Sequence, residues 1–334
     1  MRYIFLCCIM ALLPMITTLG MAQTDEPPIV NLMISTDVPP SRTDEQGEVT
    51  LSNLDNLKEN ITDRDLIATI FSTQDFMYTR GRLLLIRLGL DSKFELGMSG
   101  LHSGEKLSKL SRQDQKNLLE TSKLYVEKAR ICGKNMIIVY GFMPQSFDQN
   151  EDTFDVLDDL GLQYDAGFQA GIIFAPGHEK DVWPYPVNGH EFYAVPVSTY
   201  DLSGKKVVLQ DSYFKDNGMS ASQWYDALVA KLDQIQGKDE PLVISLNTSI
   251  SGSGDYLDAL NNFMDYAISK KASFVTTIQL VEMAKTGERD VSKLPANLTS
   301  TQVCIDCEEE EEDYLKAAIS VTSINDTSAS NSTT

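Results

Sequence analysis

The chain has 334 residues, with 28 Lys+Arg against 48 Asp+Glu and a formal net charge of −20. A surface that acidic repels phosphate backbones and anionic lipid, which argues against nucleic acid as a partner and against a membrane beyond a signal anchor. The length suits one α/β barrel or two small domains.

Arg2 precedes a mostly apolar run over 3–19, and Gly20-Met21-Ala22 supplies small residues at its exit. Residues 1–22 therefore read as a secretory signal peptide cut after Ala22, with an uncleaved anchor as the alternative; Pro14 favours cleavage. Cleavage would leave 27 Lys+Arg against 48 Asp+Glu, and Cys132, Cys304 and Cys307 as the remaining thiols. So few cysteines do not staple a scaffold, so a hydrophobic core must hold it. Sequons at Asn60, Asn247, Asn297, Asn325 and Asn331 agree with a secreted or cell-surface glycoprotein.

Past the leader, Ile29 to Ile34 is apolar and β-branched, and stops at Ser35-Thr36-Asp37 before Pro39 and Pro40. That pattern predicts a buried strand presenting a carboxylate at its carboxyl end, where α/β folds collect ligands. Residues 41–48 read as an exposed loop, and Leu51, Leu54, Leu57 and Ile61 recur at helical spacing. Further strands are expected at 66–71, 94–98, 136–140, 164–168, 192–198, 242–246 and 272–278. Helices are expected at 79–90, 112–131, 150–160, 224–235, 255–267 and 280–285, with Gly161 closing one and Ser220 capping another. The alternation implies a parallel sheet and the length suits its closure into a barrel. Residues 287–334 are polar, with an acidic run at 308–313 and a Ser/Thr/Asn-rich end, and read as a partly disordered tail. Within it Cys304-Ile-Asp-Cys307 reads as a small local disulfide.

The order of strand ends resembles the polysaccharide deacetylase, or NodB-homology, family over about residues 29–285. Ile34-Ser-Thr-Asp37-Val38-Pro-Pro40 stands where the family has T-F-D-D-G, and Leu66-Ile-Ala-Thr-Ile-Phe71 resembles its second strand. Glu95-Leu-Gly-Met-Ser99-Gly-Leu-His102 is similar to the approach to its paired histidines. Gly141-Phe-Met-Pro-Gln145 stands at its Arg-bearing strand end, and Asn150 to Gly161 resembles its N-x-x-T-x-x-V-L-x-x-L-G helix. Leu242 to Asn247 falls where members end a strand in His, and Phe274 to Leu280 resembles the closing F-V-T-L-x-E-L. The resemblance implies a distorted (β/α) barrel that removes acetyl groups from a polysaccharide with a divalent metal, usually zinc.

Carried over by position, Asp37 is the catalytic base and His102 the metal ligand. Asp75 and Ser99 are accessory groups that complete a polar set, as is Glu105. Gln145 and Asn247 stand at the rim positions, and Trp183 between Asp181 and Pro184 offers a sugar-stacking face. Val38, Met143 and Asn247 replace a metal-binding Asp, the orienting Arg and a catalytic His. A hydrolytic zinc needs about three protein ligands and an open position, so these losses open a second reading: an inactive NodB-fold protein that binds glycan at the cell surface. The bland alternatives are a loop-capping Asp37, an exposed His102, solvated loop positions for His178 and His190, and core packing for Trp224.

Overall fold

The computed structural model describes residues 27–36, 44–76, 87–89, 91–127, 137–295 and 298. Among these residues eleven strands run β1 Ile29–Thr36, β2 Ala68–Ser72, β3 Phe94–Met98, β4 Gly141–Phe142, β5 Tyr164–Gln169, β6 Tyr185–Pro186, β7 Tyr193–Val197, β8 Thr199–Leu202, β9 Lys205–Val208, β10 Leu242–Asn247 and β11 Ser273–Val275. The main sheet has the order β10-β1-β2-β3-β4-β5-β7-β6, parallel except for β6. On one edge β1 pairs with β10 along Val30–Ser35; β11 pairs with Ile29–Asn31 and β2 with Met33–Thr36.

The far end of the sheet returns to its start. The amide of Ser198, just past β7, donates to the Val243 carbonyl of β10 at 2.9 Å, and the Val243 amide donates to Ser198 Oγ at 2.9 Å. Side-chain alternation gives the same ring. Val30, Leu32, Ile34, Ile70, Leu96 and Ile244 join an outer cluster with Leu54, Leu119 and Leu260 from the helices. Ile29, Met33, Phe71, Tyr164, Val195 and Val243 form an inner cluster. Two faces buried separately, one under helices and one against its own strands, define a distorted (β/α) barrel.

Helix Thr277–Thr286 adds Ile278, Leu280, Val281 and Met283 to the inner cluster. Its first turn reaches Glu95, which is fully buried inside the ring and accepts from Tyr164 Oη at 2.6 Å, Thr69 Oγ1 at 3.0 Å and the Ile278 amide at 2.8 Å. A carboxylate at a helix N-terminus is favourably placed against the backbone dipoles.

Several expected boundaries shift. A helix starts at Asp44, inside the segment read as loop, and runs to Asp63. Residues 137–140 carry no ladder strand; the strand at this place is Gly141–Phe142. Gly141 faces inward, where a Cβ would lie 2.0 Å from the Tyr164 ring, so only glycine lets the two strands meet. The expected strand 272–278 stops at Val275, because Thr276 caps the following helix with a reciprocal Thr276–Gln279 box. Packing continues past residue 286: Val291, Leu294 and Leu298 lie on the inner cluster. Trp224 is fully buried, as expected of a core residue. Asp37, residues 1–22 with their expected signal peptide, most of the helix expected at 79–90, Cys132, and Cys304 and Cys307 lie outside the described residues.

Candidate functional site

The carboxyl ends of β2, β3 and β4 are tied into one rim. Past the strands the β2–β3 pairing continues, with the Gln74 amide donating to Gly100 O at 3.2 Å and the Asp75 amide to Leu101 O at 3.0 Å. This holds Asp75 beside the 101–103 turn. Its carboxylate meets His102 Nδ1 at 3.1 Å and accepts from the Ser103 amide at 3.4 Å. The Asp75 side chain is 8 % exposed and that of His102 61 %, so a buried carboxylate orients a largely exposed imidazole.

The turn is braced from beneath. Glu105 accepts from the Leu101 amide at 3.0 Å and the His102 amide at 2.9 Å, while burial pushes its carboxyl above the usual range. Gly100 is left-handed at φ 96°, and a Cβ there would sit 2.5 Å from Glu105 Oε2, so this position requires glycine. Gln145, from the β4 end, donates to Ser99 O at 3.0 Å and to His102 O, and accepts from the Gly104 amide. Ser99 Oγ donates to Met143 O at 2.8 Å. Ser146 and Phe147 follow with φ of 53° and 56°, a left-handed pair of non-glycine residues at the rim. Gln145→Ala removes three contacts of one side chain, and is expected to raise amide exchange over 99–104 with a stability loss of about 1–2 kcal/mol.

Two strands away, Asn247 ends β10 opposite Ser35 of β1. It is half-buried, and its side-chain oxygen caps the next turn, accepting from the Ser249 amide at 2.9 Å and Ser249 Oγ at 2.6 Å. Its own amide donates to Asp211 Oδ2 at 2.8 Å, a carboxylate that also accepts from Ser251 Oγ at 2.7 Å and the Ser212 amide at 2.6 Å. Burial pushes Asp211 up to about 7. Sequence reasoning missed Asp211, whose signal is an acidic residue closing the Val207-Val208-Leu209 run, and it missed the bracing role of Glu105.

The structure brings Asp75, Ser99, His102 and Gln145 into one network, with Asn247 further along the same rim. Trp183 is placed elsewhere. Its Nε1 donates to Asp239 O at 3.0 Å, before β10 begins, and Arg289 lies 3.8 Å over its ring while pairing with Asp239 at 2.6 Å. His178 and His190 are not solvated loop groups: His178 pairs with Asp181 at 2.6 Å and stacks on Tyr185, and His190 pairs with Asp158 at 2.7 Å beside Phe154 and Phe192.

A zinc site does not assemble from the described donors. Asp75 and His102 face each other, both Glu105 oxygens hold backbone amides, and the Ser99 hydroxyl is bound to a carbonyl. Among the described residues no group of three or more His, Cys, Asp or Glu can hold a metal ion.

Searches against protein-family models and against curated proteins return no match. Solved structures do match. A protein described as a polysaccharide deacetylase from Mycobacterium smegmatis is 14% identical, with a TM-score of 0.60, over 79% of this chain and 92% of its own. One so described from Pseudomonas aeruginosa PAO1 is 14% identical, with a TM-score of 0.62, over 78% and 92%. The Puue allantoinase is 14% identical, with a TM-score of 0.61, over 79% and 93%. The chain therefore has the fold of the polysaccharide deacetylases, the fold the motif order implied.

Proposed function

We propose that this chain is an exported, deacetylase-like protein that acts on the C–N or ester bond of an acetylated envelope or extracellular glycan. The observation that carries this reading is the Asp75–His102 pair at the carboxyl rim of a deacetylase-type barrel. The motif resemblance puts the base at Asp37 and a metal at His102; the geometry supports giving His102 the proton work. With Nδ1 turned to the Asp75 carboxylate, Nε2 takes the proton of a water that attacks the acetyl carbonyl. The same nitrogen returns that proton to the departing amine or alcohol, and Asp75 holds the ring and its tautomer, a division of labour familiar from His–Asp pairs.

Acetate release from acetylated amino-sugar polymers tests the reading. His102→Ala is expected to lower the rate on the order of 10²–10⁴-fold, with Asp75→Asn close behind. Release at the wild-type rate from His102→Ala would sink it. A second reading, a glycan-binding protein without hydrolysis, is favoured by Asn247, whose side-chain oxygen is already bound by Ser249. It predicts polymer retention with no acetate release, with or without added zinc.

A further inference from the structure

A cleft of about 330 Å³ opens on the flank of the barrel, between the 170–182 segment after β5, the β8–β9 hairpin and the end of helix Ala221–Ile235. None of the rim residues lines it. Lys231, in its lining, pairs with Glu240 just before β10 at 2.5 Å, which places the cleft by the amino end of β10. The volume is at the lower end of small-ligand sites, roughly 300–1,000 Å³.

The lining fits a hydroxyl-rich ligand without net charge. The lining carries three lysines, Lys180, Lys206 and Lys231, and three acids, Glu179, Asp181 and Asp201, with Lys231 already paired to Glu240, so the wall has no strong excess of either sign. The lining has free hydrogen-bonding capacity of both signs. Asp201 uses Oδ1 for the Gly204 amide at 2.7 Å and Asp181 uses Oδ2 for His178, leaving each a second oxygen. Lys206 forms no ion pair among the described residues. Its ammonium sits against Gly171, where a Cβ would lie 2.3 Å from Nζ, so the glycine admits the charge to the cleft wall. Tyr200 adds an aromatic side chain to the lining. Ammonium donors beside carboxylate acceptors match adjacent sugar hydroxyls, each of which both donates and accepts.

We infer that this cleft is a second carbohydrate-binding site, holding one or two sugar units of a polymer whose reacting unit lies at the rim. The choice of a glycan over another neutral polyol rests on the proposed function; the existence of the site does not.

The experiment uses the full chain with a tetramer of N-acetylglucosamine and a neutral glucan of the same length as probes, titrated by calorimetry. The His102→Ala background keeps rim chemistry out of the measurement. Lys206→Ala and Asp201→Asn, the second keeping an acceptor for the Gly204 amide, are exposed changes, and each is expected to weaken binding at least tenfold with an unchanged melting midpoint. In an otherwise wild-type chain they should leave acetate release from a short substrate unchanged. Binding that is unaltered in both variants, or absent for both probes, overturns the inference. Binding of the glucan alone keeps the cleft and removes its link to an acetylated substrate. Failure of acetate release with binding intact counts against the rim reading only.

Discussion

Glu95→Ala is expected to cost about 3 kcal/mol or more of folding stability, because it strands three buried donors whose individual costs are about 1–3 kcal/mol. Those donors are Tyr164 Oη, Thr69 Oγ1 and the Ile278 amide, all pointing at one carboxyl inside the barrel. Water cannot replace the lost acceptor cheaply, since Glu95, Thr69 and Tyr164 are all fully buried. Burial pushes the Glu95 carboxyl upward against the pull of these donors, and it pushes the Tyr164 phenol well above its ordinary range, so the phenol remains a donor. Against a typical total of about 5–15 kcal/mol, the loss moves a urea midpoint far to the left. Glu95→Gln keeps one acceptor oxygen but turns an NH2 toward a remaining donor, and is expected to fall between wild type and alanine. Tyr164→Phe removes one donor and costs less than Glu95→Ala. An alanine variant as stable as wild type would mean the network is not what joins helix Thr277–Thr286 to β2 and β3.

Glu95 shows where sequence reading stops. It sits in a correctly placed strand, Phe94–Met98, and by position it belongs to the approach to the histidine turn. That it faces inward and meets a helix 183 residues later follows from barrel closure, which no local window contains. Long apolar runs were legible for the same reason: β1, β3, β5 and β10 carry their signal within five to eight residues. The Ser220 cap was legible from local chemistry and forms a reciprocal box, whereas Asn150, read as the first residue of its helix, stands just outside it and caps it with a box of its own. The β8–β9 hairpin was missed, although Ser203-Gly204 is a two-residue turn with φ of 56° and 82°. β4 was misplaced because its position is set by a close approach to Tyr164 rather than by its own apolar content. At the rim, residue types at motif positions pointed to Asp75, Ser99, His102 and Gln145. Their mutual hydrogen bonds, and the reassignment of Trp183 to an Arg289–Asp239 clamp, depend on distant partners.

Asp165→Asn is expected to raise stability above neutral pH and to flatten its pH dependence. Asp165 is fully buried on β5; the Gly167 amide donates to Oδ1 at 2.8 Å, while Oδ2 has no hydrogen-bond partner. Burial pushes its carboxyl up to about 7, against the pull of the Gly167 amide and the neighbouring Gln149 side chain. Gln149 donates its Nε2 to Gly167 O at 3.2 Å and leaves its own oxygen buried and unpartnered. Two buried acceptor oxygens are thus left without a donor, and a proton on Asp165 Oδ2 removes the cost of burying that one as a charge. The folded state therefore holds this proton up to about pH 7, whereas the unfolded chain releases it near 3.8, the ordinary aspartate value. With the native state binding more protons in that window, stability falls as pH rises from about 4 to 7 and stays low above it. One pKa unit is about 1.4 kcal/mol, so the loss is on the order of a few kcal/mol. Asparagine keeps the acceptor for Gly167 and puts a permanent NH2 where the proton was. Melting midpoints measured from pH 4.5 to 8.5 should show a shallower slope in the variant and a higher midpoint at pH 8. Part of the slope that remains belongs to Asp211, held at about 7 by the same burial, and Glu95 and Glu105, also pushed up by burial, add to it. At Asp211 asparagine is no remedy, because three donors already converge on the carboxylate. A pH profile unchanged by Asp165→Asn would mean that Asp165 is ionised in the native state.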